Sequence, residues 1–121
     1  MKDELSKKNQ NSLAIFETYK IRRRYDEKTE TWYFSVIDIV AALIEQTDFK
    51  KAQSYWTTLK NRLRKEGNQS VTKCDRLKLL STDGKFYKTD VADAETILRL
   101  IQSVPSKKAE PIKLWLAKVE I

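Results

Sequence analysis

The fold is decided by the stretch TWYFSVIDIVAALIEQTD, residues 31–48, in which a strand pattern changes into a helix pattern. Its first four residues are aromatic or β-branched, which is typical of a strand. Ser35 follows and precedes Asp38 by three residues, the spacing of a capping box in which Asp replaces the usual Glu. Apolar side chains then recur at helical spacing, which predicts a helix over residues 36–45: Ile37, Val40, Ala41 and Ile44.

The residues before this stretch predict a partner strand. Residues 13–25 read as one extended segment, and the polar residues 26–30 form a turn before a strand at 31–34, which gives a hairpin. Residues 1–12 are polar and charged, so we expect a flexible N-terminal segment ahead of a domain that covers residues 13–121.

A second helix is predicted directly after the first. Asp48 can cap a helix over residues 49–66, and Gly67 can end it in a left-handed conformation. Residues 68–72 are then expected to form a loop or a short strand.

The last third of the chain predicts one more hairpin and two more helices. Asp83-Gly84 is a strong turn signal between strands at 77–81 and 85–88. Asp90 is the expected cap of a third helix at 91–103, and the apolar spacing from Ala109 onward predicts a fourth helix. The sequence therefore predicts an α+β fold, in which small antiparallel β hairpins pack with about four helices.

Composition limits the functions that this domain can have. A chain of 121 residues corresponds to one domain, and a single cysteine, Cys74, cannot form an internal disulfide, which suits a reducing cytoplasm. The sequence contains no histidine and no glycine-rich phosphate loop. We therefore expect no catalytic residues, no metal site, no cofactor and no enzymatic activity. No apolar run is long enough to predict a membrane span.

The positive charge of the chain is concentrated in one stretch. The formal net charge is +7, and residues 50–88 alone hold eleven Lys and Arg side chains against three carboxylates. The flanking stretches 1–49 and 89–121 are close to neutral. A localised positive field attracts a polyanion, and for a basic domain the commonest polyanion is a nucleic acid.

The polar face of the second predicted helix is the main candidate site. Lys and Arg side chains there can bind phosphates, Gln and Asn can read adenine, and Thr can contact a thymine methyl. The candidate nucleic-acid-binding residues are Lys50, Gln53, Thr57, Lys60, Asn61, Arg64 and Lys65 on this helix, with Lys85 and Lys88 on the second hairpin. The first two helices also imitate a helix-turn-helix. The alternative is a solvated helix face with no ligand, since most charged helix faces are solvated.

Two other groups of residues are expected to be structural. Arg22-Arg23-Arg24 lies in an extended segment, where alternate side chains point to opposite faces, and we expect it to be a solvated strand. Three tryptophans could stack on bases. Each has apolar neighbours at core spacing, however, so we expect all three in the core: Trp32, Trp56 and Trp115.

The order of these elements resembles a known family. Ile21-Arg22 followed by the run from Trp32 to Leu43 is similar to the W-F-x-x-x-D-V-x-x-x-L signature of the Bro family N-terminal domain. That domain occurs in phage and prophage antirepressors and in baculovirus repeated-ORF proteins. The family's signature Asp falls on Asp38, which we interpret as a helix-capping residue, and the resemblance covers residues 14–119.

This resemblance implies a DNA-binding regulatory domain of a prophage antirepressor-like protein, active in transcription regulation in the cytoplasm of a bacterial host. It also implies a separate C-terminal domain, and the abrupt end at Ile121 suggests a chain cut from a longer protein. The family offers no catalytic residues to carry over. An alternative is a protein-interaction module that binds a phage repressor without functional DNA contact, and a third is a structural domain of a nuclease or a similar enzyme.

Overall fold

A computed structural model of the chain describes residues 11–119. Within them lies a five-stranded antiparallel sheet with the strand order β1-β2-β3-β5-β4. The strands are β1 (Asn11–Phe16), β2 (Tyr19–Asp26), β3 (Thr31–Ser35), β4 (Asp75–Leu80) and β5 (Phe86–Ala92).

The helices pack with this sheet around one apolar core, so the predicted α+β fold is confirmed. Their bounds are α1 (Val36–Leu43), α2 (Phe49–Lys65), α3 (Gln69–Thr72), α4 (Ala94–Ile101) and α5 (Ala109–Val119). Between residues 11 and 119, no helix is both long and apolar enough to cross a membrane.

The start of the chain differs from the prediction in two respects. Most of the predicted flexible segment 1–12 lies outside the described residues, but Asn11 and Ser12 belong to β1. The segment 13–25 is a tight hairpin and not one extended segment, because the chain turns at Glu17 and Thr18 between paired Phe16 and Tyr19. Glu17 takes a positive φ of 54°, a conformation that usually signals Gly or Asn, so the sequence did not reveal this turn.

At the junction between β3 and α1, the predicted capping contact of Ser35 forms and that of Asp38 does not. The Ser35 hydroxyl accepts a hydrogen bond from the Asp38 backbone N–H at 3.3 Å, which confirms Ser35 as the N-cap. The Asp38 carboxylate, however, accepts hydrogen bonds from Arg22. The interpretation of Asp38 as a capping side chain was therefore wrong, because β2 brings a cation to that carboxylate.

Both predicted ends of α2 are confirmed. Asp48 accepts a hydrogen bond from the Lys50 N–H at 2.9 Å, and Gly67 has φ 72°. The Gly67 and Asn68 N–H groups donate to the carbonyls of Arg64 and Leu63, which is the Schellman arrangement at a helix C-terminus. Residues 69–72, expected to be a loop or a strand, instead form the short helix α3, capped by Asn68.

The predicted start of the third helix is wrong by several residues. Asp90 does not cap a helix, because β5 continues through Ala92 and the cap is Asp93, which accepts from the Thr96 N–H at 2.9 Å. Val91 and Ala92 are fully buried and pair with β3. Pairing with a distant strand therefore overrides the local helix pattern at these residues.

The tryptophans divide between the core and its margin. Trp56 is only 3% exposed and confirms its predicted core position. Trp32 and Trp115 are partly buried and pack against the core from its edge. The Trp115 indole N–H donates to the Ile15 carbonyl at 2.7 Å and so joins α5 to β1.

Strands β4 and β5 with the turn at residues 81–85 form a two-stranded unit that we call the ribbon. β5 pairs with β3 only through Val91 and Ala92, and over residues 86–90 its partner in the described sheet is β4. Within the ribbon, Leu79 is buried, whereas Leu80 and Phe86 are each 47% exposed. The predicted Asp83-Gly84 turn is confirmed, since Gly84 has φ 83°.

Candidate nucleic-acid interface

An open cleft of about 630 Å³ separates α2 from the ribbon. One wall is formed by α2 residues Phe49, Gln53, Trp56, Thr57, Lys60 and Arg64. The facing wall is formed by Arg76, Ser81, Asp83, Tyr87, Lys88, Thr89 and Asp90 of the ribbon, and Arg22 and Ile37 complete the lining. Ten of these fifteen lining residues belong to the stretch 50–88, which carries the excess positive charge.

The structure brings five of the predicted site residues to this cleft. Helix periodicity puts residues 53, 57, 60 and 64 on the side of α2 next to the buried stripe, and the ribbon adds one more lysine. These five residues are Gln53, Thr57, Lys60, Arg64 and Lys88.

The other four predicted residues lie elsewhere on the surface. Lys50, Asn61 and Lys65 are exposed on α2 but do not line the cleft, and Lys50 borders a separate shallow depression with Tyr55. Lys85 is exposed at the end of the ribbon turn. The predicted face of α2 is thus divided between the cleft and the open surface.

Asp90 contacts cations from both walls of the cleft. One of its carboxylate oxygens accepts hydrogen bonds from the Trp56 indole N–H at 2.8 Å and from the Lys60 ammonium at 3.0 Å. The other oxygen lies 3.4 Å from the Arg76 guanidinium. Lys60 and Arg76 are therefore both paired with the same carboxylate.

This environment favours the ionised form of Asp90. Burial alone would raise the pKa of Asp90, but the hydrogen bonds from Trp56 and Lys60 and the charges of Lys60 and Arg76 outweigh burial and lower it. An ionised Asp90 reduces the positive potential of the cleft. Arg64 and Lys88, with no ion pair to another described residue, remain available to an incoming anion.

Sequence reasoning missed two aromatic side chains at the cleft. Phe49, the first residue of α2, is 56% exposed, and Tyr87 on β5 is 48% exposed. Exposed aromatic rings beside cations provide stacking surfaces for bases. Phe49 has the spacing of the buried stripe of α2, three residues before Ala52 and seven before Trp56, so the sequence pattern did not mark it as exposed. The position of Tyr87 depends on the strand register.

The Arg22 side chain at the end of the cleft is fixed in place. Its Nε and Nη2 donate to the two carboxylate oxygens of Asp38 at 2.8 and 3.2 Å. Arg23 lies over the Trp32 ring at 4.0 Å and donates to the Val119 carbonyl at 2.9 Å. The expectation of a solvated arginine strand was therefore wrong for Arg22 and Arg23, because α1, β3 and α5 supply partners that are distant in sequence.

The fold and the cleft together define a small basic α+β domain with an open surface suited to a polyanion. A family model described as the BRO family, N-terminal domain matches residues 20–120. The chain therefore belongs to the BRO family as an N-terminal domain, which confirms the resemblance seen in the sequence. Such domains are generally DNA-binding N-terminal domains of antirepressor-like proteins. Searches of curated proteins and of solved structures found no match.

Proposed function

We propose that this domain binds duplex DNA through the cleft between α2 and the ribbon, as the DNA-binding regulatory part of a prophage antirepressor-like protein acting in the cytoplasm. The observation that carries the proposal is the concentration of cations around an open cleft that also offers an amide and two aromatic rings. Phosphates bind such cations with a strong dependence on salt, and bases can stack on exposed rings. The domain acts in this proposal by binding alone, without a catalytic step.

The position of Asp90 indicates how binding begins. The cations with no carboxylate partner, Arg64 and Lys88, contact phosphates first. Lys60 and Arg76 are already paired with Asp90, so they contribute less to the affinity than their charge alone suggests. We therefore expect about three to five phosphates to be neutralised, with log K falling against log salt at a slope of about −3 to −4.5.

A salt series of fluorescence anisotropy with a labelled duplex of random sequence tests the proposal. The double variant Arg64→Gln with Lys88→Gln removes the two unpaired cations of the cleft, and we expect the slope to become shallower by about 1.8. The control is Lys28→Gln with Lys118→Gln, which removes two exposed lysines that do not line the cleft. This control changes the net charge equally and should leave the slope unchanged.

Two outcomes would contradict the proposal. Equal losses in both double variants would mean that the net charge of the domain, and not the cleft, attracts DNA. An absence of duplex affinity, together with a stoichiometric complex with a phage repressor, would support the protein-interaction alternative.

A further inference from the structure

The face of the ribbon that carries Arg76 and Asp90 has an ordered arrangement of side chains. Residues directly opposite on antiparallel strands point to the same side, and three such pairs follow one another along the ribbon. They are Arg76 with Asp90 at the base, Lys78 with Lys88 in the middle, and Leu80 with Phe86 beside the turn. The face thus passes from an ion pair to two cations and then to an apolar pair.

The middle pair is electrostatically unfavourable without a ligand. Lys78 and Lys88 are both exposed, and like charges directly opposite on paired strands repel each other. Among residues 11–119, no carboxylate forms an ion pair with either lysine. An anion bound between or beside them would relieve this repulsion.

The apolar pair is exposed although a buried position lies next to it. Leu79 is 1% exposed, whereas Leu80 and Phe86 are each 47% exposed at the end of the strands. The pair forms an apolar tip, and Lys85 in the adjoining turn is also exposed. An apolar tip flanked by lysines suits a ligand with anionic edges and apolar groups between them.

The dimensions of duplex DNA match this arrangement. The apolar pair lies two residues beyond the lysine pair, or about 7 Å along the strands, since an antiparallel strand rises about 3.4 Å per residue. The major groove is about 8.5 Å deep and about 12 Å wide, and it admits a two-stranded ribbon. With the lysines at the level of the phosphates, the apolar pair would therefore reach the base edges.

We propose that the ribbon enters the major groove of duplex DNA with its tip first. Lys78 and Lys88 bind phosphates on the two sides of the groove, and Leu80 and Phe86 pack against thymine methyl groups. This inference rests on the proposed function and extends it in two ways. It places the ribbon in the major groove, and it identifies thymine methyl groups as the feature of the bases that the tip contacts. The cleft and the ribbon face are continuous, because Asp90 at the ribbon base is bonded to Trp56 and Lys60 of α2.

The test compares two duplexes of the same sequence, one with thymidine and one with deoxyuridine in its place. The deoxyuridine duplex has the same phosphates and lacks the methyl groups. We expect the wild-type domain to bind it more weakly by about fourfold for each methyl group that it contacts, which is the effect of removing one buried methyl from a contact. Leu80→Ser with Phe86→Ser should weaken binding to the thymidine duplex by about tenfold or more, abolish the preference for thymidine and leave the salt slope unchanged.

Two further variants serve as comparisons. One removes the ionic contact, and the other removes apolar surface elsewhere on the domain. Lys78→Gln with Lys88→Gln should make the salt slope shallower by about 1.8 and keep the preference for thymidine. The matched control, Leu13→Ser with Leu114→Ser, alters two residues of β1 and α5 that are 53% and 66% exposed, and it should change neither quantity.

The inference and the proposed function fail in different ways. A tip variant with unchanged affinity and an unchanged preference for thymidine would overturn the inference, while salt-dependent binding by the wild type would still support the proposed function. Wild-type protein with no affinity for either duplex would overturn both. Circular dichroism of each variant shows whether the fold is intact, and Leu80→Thr with Phe86→Thr offers a second tip variant with β-branched side chains that favour strands.

Discussion

The Trp56 indole N–H donates to the Asp90 carboxylate at 2.8 Å, across the cleft between the long helix and the ribbon. Trp56 is only 3% exposed, and Asp90 also contacts Lys60 and Arg76. Asp90 therefore links the ribbon to α2 and at the same time reduces the positive charge of the cleft. These two roles lead to different effects when Asp90 is changed.

Asp90→Asn should lower the stability of the domain and raise its affinity for DNA. The neutral amide forms weaker hydrogen bonds with Trp56 and Lys60, and it frees the charges of Lys60 and Arg76 for phosphates. We expect the salt slope of DNA binding to become steeper by about 1 to 2. Anisotropy titrations at several salt concentrations measure this slope, and Asp75→Asn is the control because it removes one exposed carboxylate nearby that has no ion pair to a described residue. A slope that stays unchanged in Asp90→Asn would show that Lys60 and Arg76 take no part in binding.

The contribution of Asp90 to stability should be lost in acid. The pKa of Asp90 is lower in the folded domain than its ordinary value, so the folded state favours the ionised group. The resulting stability is fully present above the unfolded pKa of about 3.9 and is lost as the pH falls through the lower folded pKa. Urea midpoints of the wild type and of Asp90→Asn should therefore differ by a constant amount at neutral pH and converge below pH of about 4. A difference that persists to the lowest pH at which the domain folds would count against this linkage.

Cys74 should react slowly with alkylating reagents. Burial, followed by the negative charge of Asp90, raises the pKa of the Cys74 thiol to about 11. The thiolate is the reactive form, so the rate with iodoacetamide should be low at neutral pH and rise steeply toward pH 11. Unfolding in urea should remove this protection, and Asp90→Asn should lower the pKa of Cys74 and speed the reaction in the folded state. Rapid alkylation of the folded wild type at neutral pH would contradict this account.

Asp38→Ala should destabilise the domain more than Ser35→Ala. Asp38 receives the Arg22 backbone N–H and two of its guanidinium nitrogens, and the two side chains are 14% and 17% exposed. Removing one partner leaves a largely buried arginine without its carboxylate, and we expect a loss of about 2 kcal/mol or more. Loss of the Ser35 cap alone should cost about 1 kcal/mol. Thermal melts of both variants test the order, and a larger loss for Ser35→Ala would show that the Arg22–Asp38 pair contributes little to stability.

The local signals in the sequence were sufficient for much of the fold. Ser35 and Asp48 were identified as caps because a short polar side chain precedes an apolar helical repeat in each case. Gly67 and Gly84 were identified as turn residues because both need a positive φ that other residues rarely adopt. The concentration of charge in residues 50–88 did not predict a cleft, although five of the candidate residues named from it line one: Gln53, Thr57, Lys60, Arg64 and Lys88.

The errors arose where distant residues decide the local structure. Val91 has helical spacing with the apolar residues after it, yet it pairs with Ser35 in the sheet. Because β5 extends through these residues, Asp90 lies in the cleft and does not cap a helix. Its hydrogen bond with Trp56 could therefore not be derived from spacing alone. The turn at Glu17 was missed for a different reason, since its residue type does not favour the conformation that it adopts.

The bonds that link the first hairpin to the segment from Lys108 through α5 have a consequence for how the domain folds as it is synthesised. Trp115 donates to the carbonyl of Ile15, which is 100 residues earlier, and Lys108 pairs with Glu17, which is 91 residues earlier. The first strand pair must therefore leave the ribosome long before the helix that covers its apolar side. Contacts with such a large sequence separation slow folding and lengthen the time for which apolar strands stay uncovered. The nascent chain is consequently most prone to aggregation before α5 emerges, and a chaperone that shields Phe16 and Phe34 until then would raise the yield of folded domain.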